Sequence, residues 1–385
     1  MSPSPRIAFV LDALPAIGGG EKTLFAALEV FPQADIFTLL YNKKAFAGTP
    51  IANRNVVTSY LDRLPFAQTH HRMLLPLMPS AIERFDFCNY DVVVAFSYAV
   101  AHGVRVKDGT RHLSYTYTPM RYAWSDLNID GTYSRKNPML DLFMEHFRKW
   151  DRSAAARVHE FATISHGIAD RIRSAYRREA RVIYPPVETE RFSPSARRGD
   201  YFVTLSRLVP HKRIDLIVGA FSRLGLPLKV IGDGPECNRL HRGAAPNIQF
   251  LGYQSEEAVA GLLGTARGFV CAAEEDFGIA IVEAQAAGCP VIAYRAGGAL
   301  ETVIDGVTGL FFSEQSAASL SEAVRRFEDS VSCFQTEAMV ENAQRFTKVR
   351  FERLFADWIS QTPSTSPAAS PAGTSASIFQ NADDL

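Results

Sequence analysis

The sequence lacks an excess of charge of either sign: Lys+Arg and Asp+Glu are both 41. A protein that coats nucleic acid needs a basic surplus to neutralise phosphates, so that class is excluded. A local basic patch for anionic lipid stays open. No apolar run approaches the roughly 20 residues that a membrane span needs. Nor does a basic stretch with a signal-peptide core precede the strand-like Ile7–Leu11, so the expected location is the cytoplasm. Cysteine is scarce: Cys88, Cys237, Cys271, Cys289 and Cys333 are odd in number and scattered, with no Cys-x-x-Cys. A disulfide frame and a zinc site are both excluded, and the five read as reduced core residues.

What is present is a long, evenly apolar chain. Its 385 residues exceed what one core usually serves, so two domains are expected. With 47% hydrophobic and 21% charged residues it has a soluble globular profile. Short apolar runs alternate with helical periodicity. Ile7–Leu11, Asp35–Leu40, Val92–Phe96, Leu113–Thr118 and Phe161–Ile164 read as strands, with a helix over Glu21–Val30. Val182–Pro186 ends in two prolines, an extended connector suited to an interdomain hinge. A second alternation follows: strands at Tyr201–Ser206, Leu228–Ile231, Ile248–Leu251, Gly268–Cys271 and Pro290–Ala293, helices at Asp215–Leu224 and Ile279–Ala287. The expected class is α/β, with two doubly wound parallel-sheet domains, residues 1–186 and 187–345, facing a cleft. An amphipathic helix at Arg350–Ser360 and a Ser/Pro/Thr/Ala-rich, disordered tail at 362–385 complete the chain.

The strongest chemical signal is Glu274-Glu275-Asp276-Phe277-Gly278-Ile279, followed by Glu283. Glu275 ends a strand in this reading, and the Phe277-Gly278 turn opens a helix whose first amides attract phosphate or sugar oxygens. Glu275 suits hexose hydroxyls, and Glu283, two turns on, suits a ribose diol. The second signal is Ser206–Arg213, directly after a strand. There Arg207 and Lys212 can clamp a diphosphate and stabilise it as it leaves an oxocarbenium-like sugar. The third is Gly18-Gly19-Gly20-Glu21, which is neither a P-loop nor a dinucleotide fingerprint, since Glu21 rather than Gly precedes Lys22-Thr23. Gly232-Asp233-Gly234-Pro235 is either a plain turn or a wall of a nucleotide pocket. Tyr115–Trp124 is either a sugar-stacking segment with Arg121 for an anion, or core aromatics with one surface arginine. Asp-x-Asp, the metal-holding pair of many sugar-nucleotide transferases, is absent, and the two cations of the second signal can replace it.

These residues together resemble glycosyltransferase family 4, retaining enzymes of the GT-B fold, which consists of two Rossmann-like domains. The resemblance runs from about Arg6 to about Trp358. Glu275 and Glu283 match the family's Glu-x7-Glu motif, Arg207 and Lys212 its diphosphate pair, and Gly18–Glu21 its N-terminal glycine loop. Ser165–Ile168, Val182–Val187, Gly297-Gly298…Glu301 and Asp305-Gly306…Gly309 match further family stretches. The resemblance implies donor contacts at Gly19, Gly20, Arg207, Lys212, Phe277, Gly278, Ile279 and Glu283, acceptor contacts at Glu21 and Arg121, no metal, no cofactor, and residues 346–361 packed back on the N-terminal domain. Pro119–Trp124 and Gly278–Ala286 look like the mannosyltransferase branch of bacterial O-antigen or exopolysaccharide synthesis. That implies GDP-mannose as donor and a polyprenyl-diphosphate-linked saccharide as acceptor. Many relatives have His where this chain has Tyr117; either Tyr117 does the same bonding or His102 supplies an imidazole, with His112 a poorer candidate because it precedes the strand in this reading. A sugar-nucleotide epimerase, a phosphorylase or a non-catalytic relative are the competing functions. Tyr60–Met78 mixes Arg63, His70, His71 and Arg72 with Leu61, Leu64, Phe66, Met73, Leu74, Leu75, Leu77 and Met78. It is either an interfacial segment at the cytoplasmic membrane face or an ordinary core helix.

Overall fold

The computed structural model describes residues 5–65, 67, 71–124, 138–195 and 197–361. The tail and, within the Tyr60–Met78 segment, Phe66 and His70 lie outside the described residues. Two parallel sheets are present. The first comprises β1 Ile7–Leu11, β2 Asp35–Thr38, β3 Val56–Thr58, β4 Val92–Ser97, β5 Arg111–Thr116, β6 Glu160–Thr163 and β7 Ala180–Val182, in the order β3-β2-β1-β4-β5-β6-β7. The second comprises β8 Phe202–Leu205, β9 Leu228–Ile231, β10 Ile248–Gly252, β11 Gly268–Cys271, β12 Val291–Tyr294 and β13 Gly309–Phe312, in the order β10-β9-β8-β11-β12-β13. Their central strands read as unbroken apolar runs because both faces are covered; every residue of β1 is buried.

The strand order reverses between β1 and β4 and again between β8 and β11. At such switch points the loops leaving the strand ends part to opposite sides and open a crevice. The glycine loop therefore lies at one crevice, and the loops carrying Lys212 and Glu275 at the other. The chain crosses between domains at Ile183–Val187 and returns at Gln344–Lys348. The two passes are tied by Val187 N–H to Phe346 O (3.0 Å) and Lys348 N–H to Val187 O (3.2 Å). The last helix, Lys348–Ser360, lies on the first sheet's domain. There the Phe355 ring stands 5.8–6.3 Å from those of Phe9, Phe31, Phe96 and Tyr115.

Several elements differ from the sequence expectation. β5 starts two residues earlier than read, so His112 lies inside the strand, fully buried, and Tyr117 stands just past its end. The first helix begins at Gly19, because the Glu21 carboxylate accepts the Gly18 N–H (2.9 Å) and caps it. β3, β13 and the 19-residue helix Pro138–Ala156 were not anticipated. The described residues of Tyr60–Met78 form no long helix: one 3-10 turn spans Tyr60–Arg63 and another His71–Leu77. Leu61, Leu75 and Met78 enter the core, while Leu64, Met73 and Leu77 are exposed.

Candidate active site

β8 ends at Leu205, and the following loop is braced from β9's end: Leu208 N–H donates to Asp233 O (2.9 Å) and Glu236 N–H to Leu208 O (3.1 Å). Gly232–Gly234 thus supports the basic loop. One 3-10 turn, Pro210–Lys212, then aims Lys212 at Glu275, with Nζ 2.7 Å from each carboxylate oxygen. Burial alone would lower the Lys212 pKa; the charge and hydrogen bond of Glu275 outweigh it and hold it above the ordinary lysine value. Arg207 is exposed and, among the described residues, has no ion-pair partner.

Glu275 does not end a strand. β11 stops at Cys271, and Ala272–Asp276 runs on as a loop that bridges to Gly297. Gly298 N–H donates to Glu275 O (2.6 Å). A Cβ on Gly298 would fall 2.4 Å from the Phe277 backbone, so only glycine lets the two loops meet. The Phe277 ring is buried at the interdomain crossing, 5.7 Å from Tyr184 and 5.4 Å from Phe346. Its side chain anchors the turn, and its neighbours Gly278 and Ile279 open the helix Ile279–Ala286 toward the cleft. Glu283 faces elsewhere. It lines a small hollow of about 50 Å³ with Lys22, Glu188, Arg191 and Lys348, on the other side of Ile279. Burial raises its pKa, against the pull of Lys22 and Arg191.

From the first domain, Gly19 and Gly20 approach this helix; a Cβ on Gly19 would lie 2.8 Å from Ile279 Cδ1. Tyr117 lines the cleft and donates its hydroxyl hydrogen to Gly20 O (2.9 Å). Burial, then the neighbouring Tyr115 and Glu21, push its pKa well above that of free tyrosine, so it stays protonated. Glu21 is occupied as the helix cap and is not among the residues lining the cleft. Arg121 lines the cleft but is ion-paired with Asp276 of the second domain. His102 does not reach the cleft. Its ring is enclosed, with Nδ1 3.0 Å from Ser97 Oγ and Nε2 3.0 Å from Asp151.

The cleft cavity has a volume of about 370 Å³ and brings together Gly19, Gly20, Tyr117, Arg121, Arg207, Lys212, Glu275 and the Phe277–Ile281 segment. Its cations and first-turn helix amides suit an anion, and its carboxylate suits hydroxyls. Among the described residues, no group of three or more His, Cys, Asp or Glu is placed to hold a metal ion. Residues 187–346 match the family model described as glycosyl transferases group 1.

An uncharacterised glycosyltransferase of Methanocaldococcus jannaschii is 28% identical over 208 residues, covering 52% of this chain and 58% of that protein. The GDP-mannose-dependent alpha-(1-6)-phosphatidylinositol monomannoside mannosyltransferase of Mycolicibacterium smegmatis is 33% identical over 170 residues, 36% of this chain and 44% of that protein. The chain thus spans about half the length of these curated relatives. Anabaena HepE in complex with UDP-glucose superposes with a TM-score of 0.67 at 19% identity, covering 92% of this chain and 99% of that one. The architecture is that of the GT-B fold.

Sequence reasoning missed three carboxylates of the second domain that tie it to the first. Arg171 pairs with Glu274 (2.8 Å) and Asp276 (2.9 Å). Glu301 accepts the His166 N–H (3.0 Å), the Gly167 N–H (3.1 Å) and the Tyr184 hydroxyl (3.0 Å), capping the helix His166–Tyr176. Burial, then Glu301, raises the Tyr184 pKa to about 12. The only signal was adjacency: Glu274 and Asp276 flank Glu275, and Glu301 follows the Gly297-Gly298 pair.

Proposed function

We propose that the chain is a retaining, metal-independent hexosyltransferase that takes mannose from GDP-mannose. The observation that carries this reading is the Lys212–Glu275 pair in the cleft beside the Phe277–Ile279 turn, within a group 1 domain. Arg207, Lys212 and the first amides of the helix Ile279–Ala286 hold the diphosphate and its growing charge. Glu275, oriented by Lys212, binds hexose hydroxyls, whereas Glu283, which lines the separate hollow behind Ile279, has no role in this reading. The acceptor hydroxyl attacks the anomeric carbon from the face the diphosphate leaves, and the leaving phosphate oxygen takes its proton. Tyr117, whose one hydroxyl hydrogen goes to Gly20 O, can only accept a hydrogen bond from the donor sugar; His102, enclosed in the first domain, takes no part. The acceptor in this reading is a polyprenyl-diphosphate-linked saccharide, met at the inner face of the plasma membrane. Among the described residues no helix is long and apolar enough to cross a membrane, so contact would be peripheral.

Incubating the protein with radiolabelled nucleotide sugars and membrane lipid extract tests this. Label should enter the lipid phase from GDP-mannose. Label entering from UDP-glucose instead would move the donor assignment toward that of HepE, which is solved with UDP-glucose. No label from any donor would remove the transferase reading.

A further inference from the structure

A second cavity of about 260 Å³ adjoins the cleft, sharing Arg121 with it, and is lined by Thr118, Pro119, Trp124, Arg171 and Ser174. Resting on the transfer reading above, we propose that it is a subsite for an uncharged sugar ring of the acceptor, next to the ring that carries the attacking hydroxyl. Position comes first. A saccharide whose reacting hydroxyl lies in the cleft can pass Arg121 and place its neighbouring ring here. Rigidity comes second. The Trp124 indole N–H donates to Asp151 Oδ2 (2.6 Å), and the Arg152 guanidinium lies 4.7 Å from its ring centroid. Asp151 is fully buried, and its other oxygen faces His102 Nε2 at 3.0 Å. The indole is therefore fixed before any ligand arrives, so little ordering entropy is lost when a ring packs on it.

Charge decides the class of ligand. Two guanidiniums, Arg121 and Arg171, would ordinarily suggest a phosphate or a uronate. Here both are bonded to Asp276, and Arg171 also to Glu274. Asp170, at the rim, is paired with Arg173 (2.5 Å). An anion entering this cavity would have to break those pairs. A polyhydroxylated ring would not: it can accept from the remaining guanidinium N–H groups, donate to the Ser174 hydroxyl and lay a C–H face on apolar surface.

The test uses the full chain with GDP filling the donor site, and methyl α-mannobiosides of differing linkage as probes in saturation-transfer NMR. The wild type should saturate both rings of at least one mannobioside. Ser174→Trp, which fills the cavity from an exposed helical position, should lose the second ring's signal and weaken that disaccharide at least fivefold. Methyl α-mannoside affinity should stay the same in both proteins. Absence of second-ring saturation in the wild type, or unchanged disaccharide affinity in Ser174→Trp, overturns the proposal. Tighter binding of α-mannose 1-phosphate than of methyl α-mannoside at the Ser174→Trp-sensitive site overturns its neutral-ligand part. Because the second-ring signal is read in the wild type, misfolding of the variant does not remove the test. GDP binding is measured in the same samples: no GDP binding sinks the transferase reading itself, whereas GDP binding without a second-ring contact sinks only the subsite.

Discussion

Lys212 is the residue on which most of the proposed chemistry converges, because it supplies a cation to the cleft and a partner to Glu275. Lys212→Ala removes both and leaves the half-buried Glu275 carboxylate uncompensated beside the donor. The expected loss is about 2–4 kcal/mol in the transition state, or about 30- to 1000-fold in kcat/KM. An unchanged kcat/KM in a folded variant removes Lys212 from the mechanism. With protein cations serving the diphosphate, activity should also survive EDTA; loss that Mg²⁺ or Mn²⁺ restores would contradict that. A second residue governs pH behaviour. Burial drives the His112 pKa from 6.5 down to about 3. The unfolded chain therefore binds a proton that the folded chain refuses throughout that window. Stability is present above pH 6.5 and is lost as pH falls toward 3, by up to about 1.4 kcal/mol per pH unit from this group. Thermal midpoints between pH 7 and 5 should fall, and His112→Leu should flatten the slope. Parallel slopes would assign the acid lability to other groups.

Among the elements, legibility followed sequence distance. β8, β9 and β11 were readable because each is a short buried run whose signal is local. The Phe277-Gly278 turn and the Lys212 loop were readable because their residues sit at fixed spacing from those strands. What local pattern cannot carry is which side chains meet. Lys212 reaches Glu275 across 63 residues, Arg171 reaches Asp276 across 105, and Glu301 reaches His166 across 135. The placement of His102 in the interior depends in the same way on Asp151, 49 positions away in a helix that the sequence did not announce. Where two loops must touch, glycine is the readable trace, and Gly298 carries a prediction at this scale. Gly298→Ala puts a methyl against the Phe277 backbone, a contact that no side-chain rotation relieves. The Phe277–Ile279 turn must shift, with a stability cost above about 1 kcal/mol and at least a tenfold loss in nucleotide affinity. Calorimetric titration with GDP checks this; wild-type affinity in the variant would show that the turn does not position the donor.

For the molecule as a whole, two surfaces bear on how it reaches its substrates. Leu64, Met73 and Leu77 are exposed in the first domain together with Arg63. If they meet the membrane, the protein should sediment with anionic vesicles at low salt, and Arg63→Glu should weaken that; protein left in the supernatant rules the patch out. The other surface is the domain interface. It is held by the aromatic cluster at the crossing, by ion pairs of Asp276 and Glu274 with arginines of the first domain, and by the Glu301 cap. The ion pairs of Arg171 with Glu274 are partly exposed and will be screened by salt. Glu301 differs, because a carboxylate on two backbone N–H groups at a helix N-terminus makes short-range, directional bonds that salt affects less. It is therefore the contact that should hold the cleft closed at physiological ionic strength. Glu301→Ala deletes three hydrogen bonds and uncaps the helix, at a cost of about 0.5–2 kcal/mol. Because each domain keeps an apolar core of its own beside the cluster the two share, that cost should appear as opening rather than unfolding. The radius of gyration in X-ray scattering should rise, and the donor KM should rise several-fold, since Gly19, Gly20 and Tyr117 reach the donor site only across the closed interface. GDP should restore the compact form at saturation, by binding the closed state more tightly than the open one. An unchanged radius and KM would show that the aromatic crossing alone sets the domain angle.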